Sequence, residues 1–290
     1  MLSISALTAM REYVQEARRA GRRIGFVPTM GALHAGHLSL IAAARERSDV
    51  VVLSVFVNPL QFGPGEDFAR YPRDLQRDTA LAAAGGVDVL WAPSRDAMYP
   101  EAPQVTVVPG PAGDRLEGAV RPGHFGGVLT VVLKLFELVQ PDVAVFGRKD
   151  FQQAALVRRM VRDLNLPLDL VVAPTVREPD GLALSSRNVY LGTEARAAAA
   201  ALPRALAHGV EAFRGGERNA ATLAAGARSV LDAERRLAVD YTACVSDDLE
   251  PQISADGRSV LVVAARAAGT RLIDNVVLGE GLEEDFRVAG

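Results

Sequence analysis

Gly25-Phe-Val-Pro-Thr-Met-Gly-Ala-Leu-His34-Ala-Gly-His37-Leu-Ser-Leu-Ile41 holds a strand end, a turn and a helix start in one short stretch. The apolar residues 24–27 read as the strand, 28–31 as the turn, and 38–45 as a helix whose first turn carries both histidines. A helix N-terminus exposes unpaired N–H groups and the positive end of its dipole, so it attracts phosphate. His34 and His37 share one helical face, which lets both imidazoles donate to the same phosphate chain, and Gly36 permits close approach of a nucleotide. The same residues also suit a plain turn with two structural histidines. Their place directly after a strand favours the nucleotide reading, and adenylyl transfer is the chemistry it suits.

Working outward, valine-rich runs at 50–57, 87–91, 143–146 and 168–172 alternate with helical stretches at 38–47, 75–84, 128–139 and 152–165. Strands apolar on both sides imply a parallel sheet covered by helices on both faces. Right-handed crossovers then give a doubly wound, Rossmann-like α/β fold. Ligands of such sheets lie beyond the strand C-terminal ends, where the His34 turn, residues 58–61 and residues 147–150 all fall. Composition changes near residue 175. Alanine-rich helices at 194–206 and 220–231 and short strands at 241–245 and 259–265 read as a smaller C-terminal α+β domain. The expected division is an ATP- and substrate-binding domain over 1–175 and a smaller lid domain over 176–290.

Hydrophobic residues make up 49% of the chain and charged residues 23%, with a net charge of −3. Such a balance gives no nucleic-acid-binding surface. A lone cysteine, Cys244, excludes an intramolecular disulfide and a cysteine-based zinc cluster, as expected in a reducing cytoplasm. Residues 1–23 lack an apolar run of signal-peptide length, and Leu7, Met10, Val14 and Ala17 are spaced for an amphipathic helix. The most apolar segment, 128–139, is interrupted by Lys134 and Glu137, so no membrane span is expected. Only two of the 32 basic residues are lysines, Lys134 and Lys149.

Five further segments carry candidate chemistry. Asn58-Pro-Leu-Gln61 ends a very apolar strand with two carboxamides, suited either to a small hydroxy acid or to an ordinary Asn-Pro turn. Arg121-Pro-Gly-His124 and the following Gly126 and Gly127 precede an apolar helix, suited to an anion or to a flexible loop. Gly147-Arg148-Lys149-Asp150 opens a helix, with Lys149 set to reach a phosphate and Asp150 to accept from ribose or to cap the helix. Asp180-Gly-Leu-Ala-Leu-Ser185-Ser186-Arg187-Asn188 offers two hydroxyls and a guanidinium for terminal phosphates, although such residues are common on surfaces. Asp74 and Asp78, four apart on a helix, suit either a phosphate-bound magnesium ion or a solvated face.

His-x-Gly-His after a strand is shared by class I aminoacyl-tRNA synthetases and small nucleotidylyltransferases. Taken in order, PTMGALHAGH, NPLQF, YPRDL, LEGAVRPGHF, KLFELVQPD, FGRKDFQQ, DGLALSSRN and RLIDN resemble the pantoate–β-alanine ligase family from Phe26 to Asn275. The resemblance implies a two-step ligation through pantoyl adenylate, with ATP as substrate, Mg2+ as its companion ion, and release of AMP and pyrophosphate. It implies His34 and His37 as stabilisers of phosphate charge, and Lys149, Ser185, Ser186 and Arg187 as the phosphate grip. Gly147 and Asp150 would face the ribose, and the backbone at Met30 and Val176 would border the nucleotide. Gln61 and Gln153 would hold pantoate, Asn58, Arg121 and His124 would line the β-alanine end, and Asp78 would stand near magnesium. A homodimer through the larger domain is implied as well. Arg148 stands where the family usually has Glu, which makes the charge near the phosphates more positive. Two other readings remain at this stage: a nucleotidylyltransferase of the same superfamily, or a non-catalytic nucleotide-binding domain.

Overall fold

The computed structural model of the chain describes residues 1–287, with the side chains of 286 and 287 left aside. Two compact units divide it. The first comprises Met1–Gly147 and Leu156–Ala173, the second Arg148–Ala155 and Pro174–Gly290.

The first unit runs β1 (Leu2–Ile4), α1 (Leu7–Arg19), β2 (Ile24–Thr29), α2 (Ala35–Arg45), β3 (Val50–Val55), α3 (Leu75–Ala84), β4 (Val89–Trp91), the short α4 (Arg95–Met98) and α5 (Glu117–Val120), α6 (His124–Val139), β5 (Val143–Gly147), the part of α7 (Phe151–Asp163) after Ala155, and β6 (Asp169–Ala173). Its six strands form one sheet in the order β1-β4-β3-β2-β5-β6, parallel throughout. Strand alternation divides the side chains between two helical layers. Val27, Val51, Leu53, Val143 and Val145 pack with Leu40, Ile41 and Ala44 of α2 and Ala82 of α3. On the other face Phe136 of α6 meets Phe26 and Phe146 edge-on, with ring centroids 6.3 Å apart in both pairs. The strand order reverses between β2 and β5, and the crevice at such a reversal is where doubly wound sheets bind ligands. The His34 turn leaves β2 there, and Gly147 ends β5.

Helix α1 buries Met10, Val14 and Ala17, as the spacing predicts. Helix α6 starts at His124, four residues before the expected start, so Gly126 and Gly127 lie inside its first turns. The physical reason is packing. A β-carbon on Gly127 would overlap the carbonyl of Leu60 and approach Gln61 N, so glycine lets α6 rest directly on the 58–61 turn.

The second unit adds β7 (Val176–Arg177), α8 (Thr193–Ala199), α9 (Ala201–Arg214), α10 (Ala220–Asp232), β8 (Leu237–Val245), β9 (Val260–Ala267), β10 (Thr270–Val277) and β11 (Phe286–Arg287). An antiparallel sheet in the order β10-β9-β8 carries the helices, and β11 pairs with β7 in parallel. Ala199, Ala201, Ala205 and Ala227 share one core with Ala265 and Ala267, so the alanine-rich composition becomes close helix-on-sheet packing. Cys244 belongs to that core, and burial pushes its thiol up to about 11, which keeps it an unreactive hydrophobe. No helix among the described residues is long and apolar enough to cross a membrane.

Candidate functional site

Thr29 closes β2 by donating from Oγ1 to the Ser54 carbonyl, 2.7 Å, and accepting from Gly31 N, 3.1 Å. Gly31 takes φ +82°, and a β-carbon there would press on Asp78 Oδ2 at 2.8 Å and Val55 Cγ1 at 2.9 Å. Ala32 is held at φ 53°, an uncommon conformation for a residue with a side chain. Asp78 enforces it: Oδ2 accepts from Ala32 N at 2.9 Å and Oδ1 from Leu33 N at 2.7 Å. With 1% exposure, Asp78 is not on a solvated helix face. Both oxygens serve the turn, a role that the spacing from Asp74 does not announce. Asp74 caps α3 through Arg77 N.

The taut turn delivers His34 to the N-cap of α2, so the helix starts at Ala35, three residues earlier than expected. His34 Nδ1 accepts from Gly36 N at 3.1 Å, and His37 Nδ1 accepts from His34 N at 3.2 Å, a capping box built from two imidazoles. The ring centroids are 4.1 Å apart. A nitrogen that accepts from a backbone N–H carries no proton, so the hydrogen-bond network assigns the Nε2–H tautomer to both rings. The pair is therefore two neutral donors at the N-terminus of an eleven-residue helix.

The turn after β3 is equally fixed. Asn58, 1% exposed, donates from Nδ2 to Gln61 Oε1 and to the Gly127 carbonyl, both at 3.1 Å. Its Oδ1 accepts from Tyr99 Oη at 3.0 Å. Gln61 in turn directs Nε2 to Met30 Sδ at 3.2 Å, which brings the β2 and β3 turns into contact. Asn58 thus orients Gln61, so that its amide NH2 is the end presented.

Arg121 and His124 hold the backbone of Gln61. Arg121 makes a two-pronged pair with Glu66, Nε–Oε1 2.8 Å and Nη2–Oε2 2.6 Å. His124 Nδ1 donates to the Gln61 carbonyl at 2.8 Å, and its Nε2 accepts from Arg121 Nη1 at 3.0 Å. Burial raises the pKa of the Glu66 carboxyl, but the Arg121 hydrogen bonds and charge outweigh this and hold it below its ordinary value. Burial first, and then the charge of Arg121, drive the His124 imidazole down to about 4. The unfolded chain binds a proton on this residue near pH 6.5, whereas the folded chain does so only near 4. His124 therefore contributes stability that is complete above pH 6.5 and lost as pH falls toward 4, about 3 kcal/mol in all. In His124→Asn, which keeps a donor for Gln61 and does not titrate, urea unfolding between about pH 4 and 6.5 is expected to show a flatter pH dependence. An unchanged slope would remove His124 from the acid response.

In the second unit, Arg148 ion-pairs with Glu280 and, at 2.9 Å, with Asp285. Its charge is neutralised locally, so the departure from the family's Glu adds little positive field. Lys149 Nζ lies 4.0 Å from Asp150 Oδ1; the lysine is one-fifth exposed and the aspartate about half. Gln153 stands partly buried in the first turn of α7. The 180–188 loop is a built hairpin: Leu184 N donates to the Val176 carbonyl at 2.9 Å, and Arg177 bridges to Ala183. Arg196 clamps its stem through Glu178 and Asp180. Ser185 Oγ accepts from Arg187 N at 3.2 Å and so caps the 3-10 turn that carries Ser186 and Arg187. Gly147 is explained by neither backbone nor packing: its φ is not positive, and a β-carbon would meet only Leu40 Cδ2, at 3.9 Å.

Glu66, Tyr99, Arg196 and Asn275 support these residues and were not singled out from the sequence. Among the described residues no group of three or more His, Cys, Asp or Glu is placed to hold a metal ion.

A family model described as pantoate-beta-alanine ligase matches residues 3–277. The pantothenate synthetase of Moorella thermoacetica is 52% identical over 95% of this chain and 98% of its own. The crystal structure of pantothenate synthetase from Thermus thermophilus superposes with a TM-score of 0.91 at 49% identity, covering 96% of this chain and 99% of that one. The pantoate-beta-alanine ligase of Francisella tularensis, crystallised with beta-gamma ATP and beta-alanine, matches with a TM-score of 0.79 at 33% identity, over 97% and 99% of the two chains.

Proposed function

The chain belongs to the pantoate–β-alanine ligase family and is an ATP-dependent ligase that joins pantoate to β-alanine, and on that premise we propose how its residues divide the work. A pantoate carboxylate oxygen attacks the α-phosphorus of ATP, the Pα–O bond to the β-phosphate breaks, and pyrophosphate leaves. The amine of β-alanine then attacks the acyl carbon of pantoyl adenylate, the bond to AMP breaks, and the new amide sheds a proton.

His34 and His37 spread the charge that develops on the α-phosphoryl group. The observation that carries this reading is their reciprocal cap: each ring is locked by Nδ1 and keeps its donor on Nε2, a preorganised arrangement of the kind phosphoryl chemistry rewards. Lys149, Ser185, Ser186 and Arg187 grip the phosphates, and the Ser185 cap that orders Ser186 and Arg187 supports the assignment. Asp150 takes the ribose, with Met30 and Val176 beside the nucleotide. A ligand approaching Gly147 accounts for a glycine the fold itself does not require. Mg2+ enters as part of the ATP complex, with Asp78, fixed by its hydrogen bonds to the turn, as the carboxylate nearest to it. Gln61 and Gln153 select pantoate by hydroxyl and carboxylate. Asn58, Arg121 and His124 act at the β-alanine end by fixing Gln61.

We assign ATP and pantoate binding to residues 1–175 and a lid role to 176–290, because an acyl adenylate survives only when shielded from water. A cytoplasmic location follows from the substrates. The decisive assay supplies ATP, magnesium and pantoate: pyrophosphate release without β-alanine, with AMP and pantothenate appearing only once β-alanine is added, is the expected result. AMP transfer to a phosphate ester would overturn it.

A homodimer through the larger unit completes the proposal. Its support is a segment outside helix and strand in which Val105 and Val108, three residues apart, are exposed at 87% and 82% and would be covered by a partner chain. Val105→Lys combined with Val108→Lys is expected to shift the sedimentation profile from dimer to monomer. An unchanged profile would place the contact elsewhere.

A further inference from the structure

Strand β10 carries the RLIDN motif, and its Asn275 is 2% exposed. One amide nitrogen spends both hydrogens on successive carbonyls of the Lys149 turn: Nδ2 donates to Arg148 O at 2.9 Å and to Lys149 O at 3.0 Å. The other end of the same carboxamide, Oδ1, is buried and accepts no hydrogen bond among the described residues. Asparagine is a poor strand former, and an orphaned buried carbonyl is a standing cost. A leucine here would spare the strand both but would withdraw the donor from two carbonyls, so the residue is retained for what it does to the Lys149 turn and not for its own strand. What it provides is the orientation of two consecutive peptide planes, and these set the direction in which the Lys149 side chain leaves the turn.

Asn275 is itself bolted in place. Its N–H donates to Asp274 Oδ1 at 2.8 Å, and Asp274 is paired with the fully buried Arg177. We propose that Asn275 is a positioning residue that aims Lys149 at the phosphates of ATP. This inference rests on the reading of Lys149 as a phosphate ligand.

The test is a double-mutant cycle on the full-length enzyme, reading pantoate-dependent pyrophosphate release and the thermal midpoint of Asn275→Leu, Lys149→Ala and the double variant. Asn275→Leu loses two donated hydrogen bonds but also the orphaned Oδ1, so the midpoint is expected to change little while turnover falls by roughly ten- to a hundred-fold, with KM for pantoate unchanged. In the Lys149→Ala background the same substitution is expected to cost less than about two-fold, because a residue acting through Lys149 has nothing left to aim. Equal losses in both backgrounds, or a loss that merely follows a lowered midpoint, would overturn the inference while leaving Lys149's role intact. Full activity of Lys149→Ala would instead remove the phosphate reading and the inference with it. Should Asn275→Leu fail to fold, Asn275→Ala takes its place in the cycle.

Discussion

Replacing His37 with alanine is expected to slow pantoate-dependent pyrophosphate release by two or more orders of magnitude while the protein stays folded. The substitution removes two things. One is an Nε2–H donor held in place before the reaction starts, and loss of a single preorganised donor costs roughly 10²–10³ in turnover. The other is the Nδ1 acceptor that closes the cap on His34 N, a contribution to stability of about 1 kcal/mol. His37→Asn separates them. Its Oδ1 stands near the position of Nδ1 and keeps the cap, but nothing replaces Nε2–H. This variant should match the wild type in thermal midpoint and the alanine variant in rate. His34→Asn offers the same separation one turn earlier, since asparagine is among the best N-caps. Near-normal pyrophosphate release by either His37 variant would refute the charge-stabilising role. A rate that recovers in His37→Asn alone would mean that the cap, not the donor, was what the reaction needed.

The double use of these imidazoles explains what the sequence made legible and what it hid. Apolar runs such as 50–57 and 143–146 and the strand–turn–helix around His34 announce the parallel sheet, because burial on both faces leaves an uninterrupted pattern. The start of α2 at Ala35 is hidden in the sequence because histidine is not a familiar cap, and only its spatial partner reveals it as one. The spacing of Asp78 from Asp74 suggests a shared helix face, yet both its oxygens bond Ala32 and Leu33, more than forty residues earlier. Glu66 and Tyr99 act across separations of 55 and 41 residues, and no local signal marks such contacts. Strand β10 escaped for a local reason: its hairpin turns at Ala268 and Gly269, at φ +47° and +81°, where Asn-Gly would have signalled a turn of that hand. The residues that bear chemistry were visible as types and positions. The residues that aim them were visible only once the chain had folded.

Arg177→Met is expected to lower the unfolding free energy by about 3–5 kcal/mol at neutral pH, the range for breaking a buried ion pair by removing one partner. Arg177 is 0% exposed and satisfies two carboxylates at once: Nη1 and Nη2 engage Asp274 at 2.7 and 3.0 Å, and Nε engages Asp285 at 2.7 Å. Desolvation alone would lower the pKa of the guanidinium, but the charges of Asp274 and Asp285 raise it above its ordinary value, so it is charged at every accessible pH. Methionine fills much of the volume and leaves Asp274 buried with no cation among the described residues, whereas Asp285 retains Arg148. The deficit should therefore come mainly from Asp274. Arg177→Met with Asp274→Asn is expected to recover a large part of it in urea unfolding, because a neutral amide is far cheaper to bury than an unpaired carboxylate. Arg177→Lys should fall between, since a single ammonium cannot reproduce the planar fork that reaches Asp274, Asp285 and the Gly181 carbonyl together. If the double variant is no more stable than Arg177→Met, the cost lies in lost hydrogen bonds to the 180–188 hairpin and not in stranded charge.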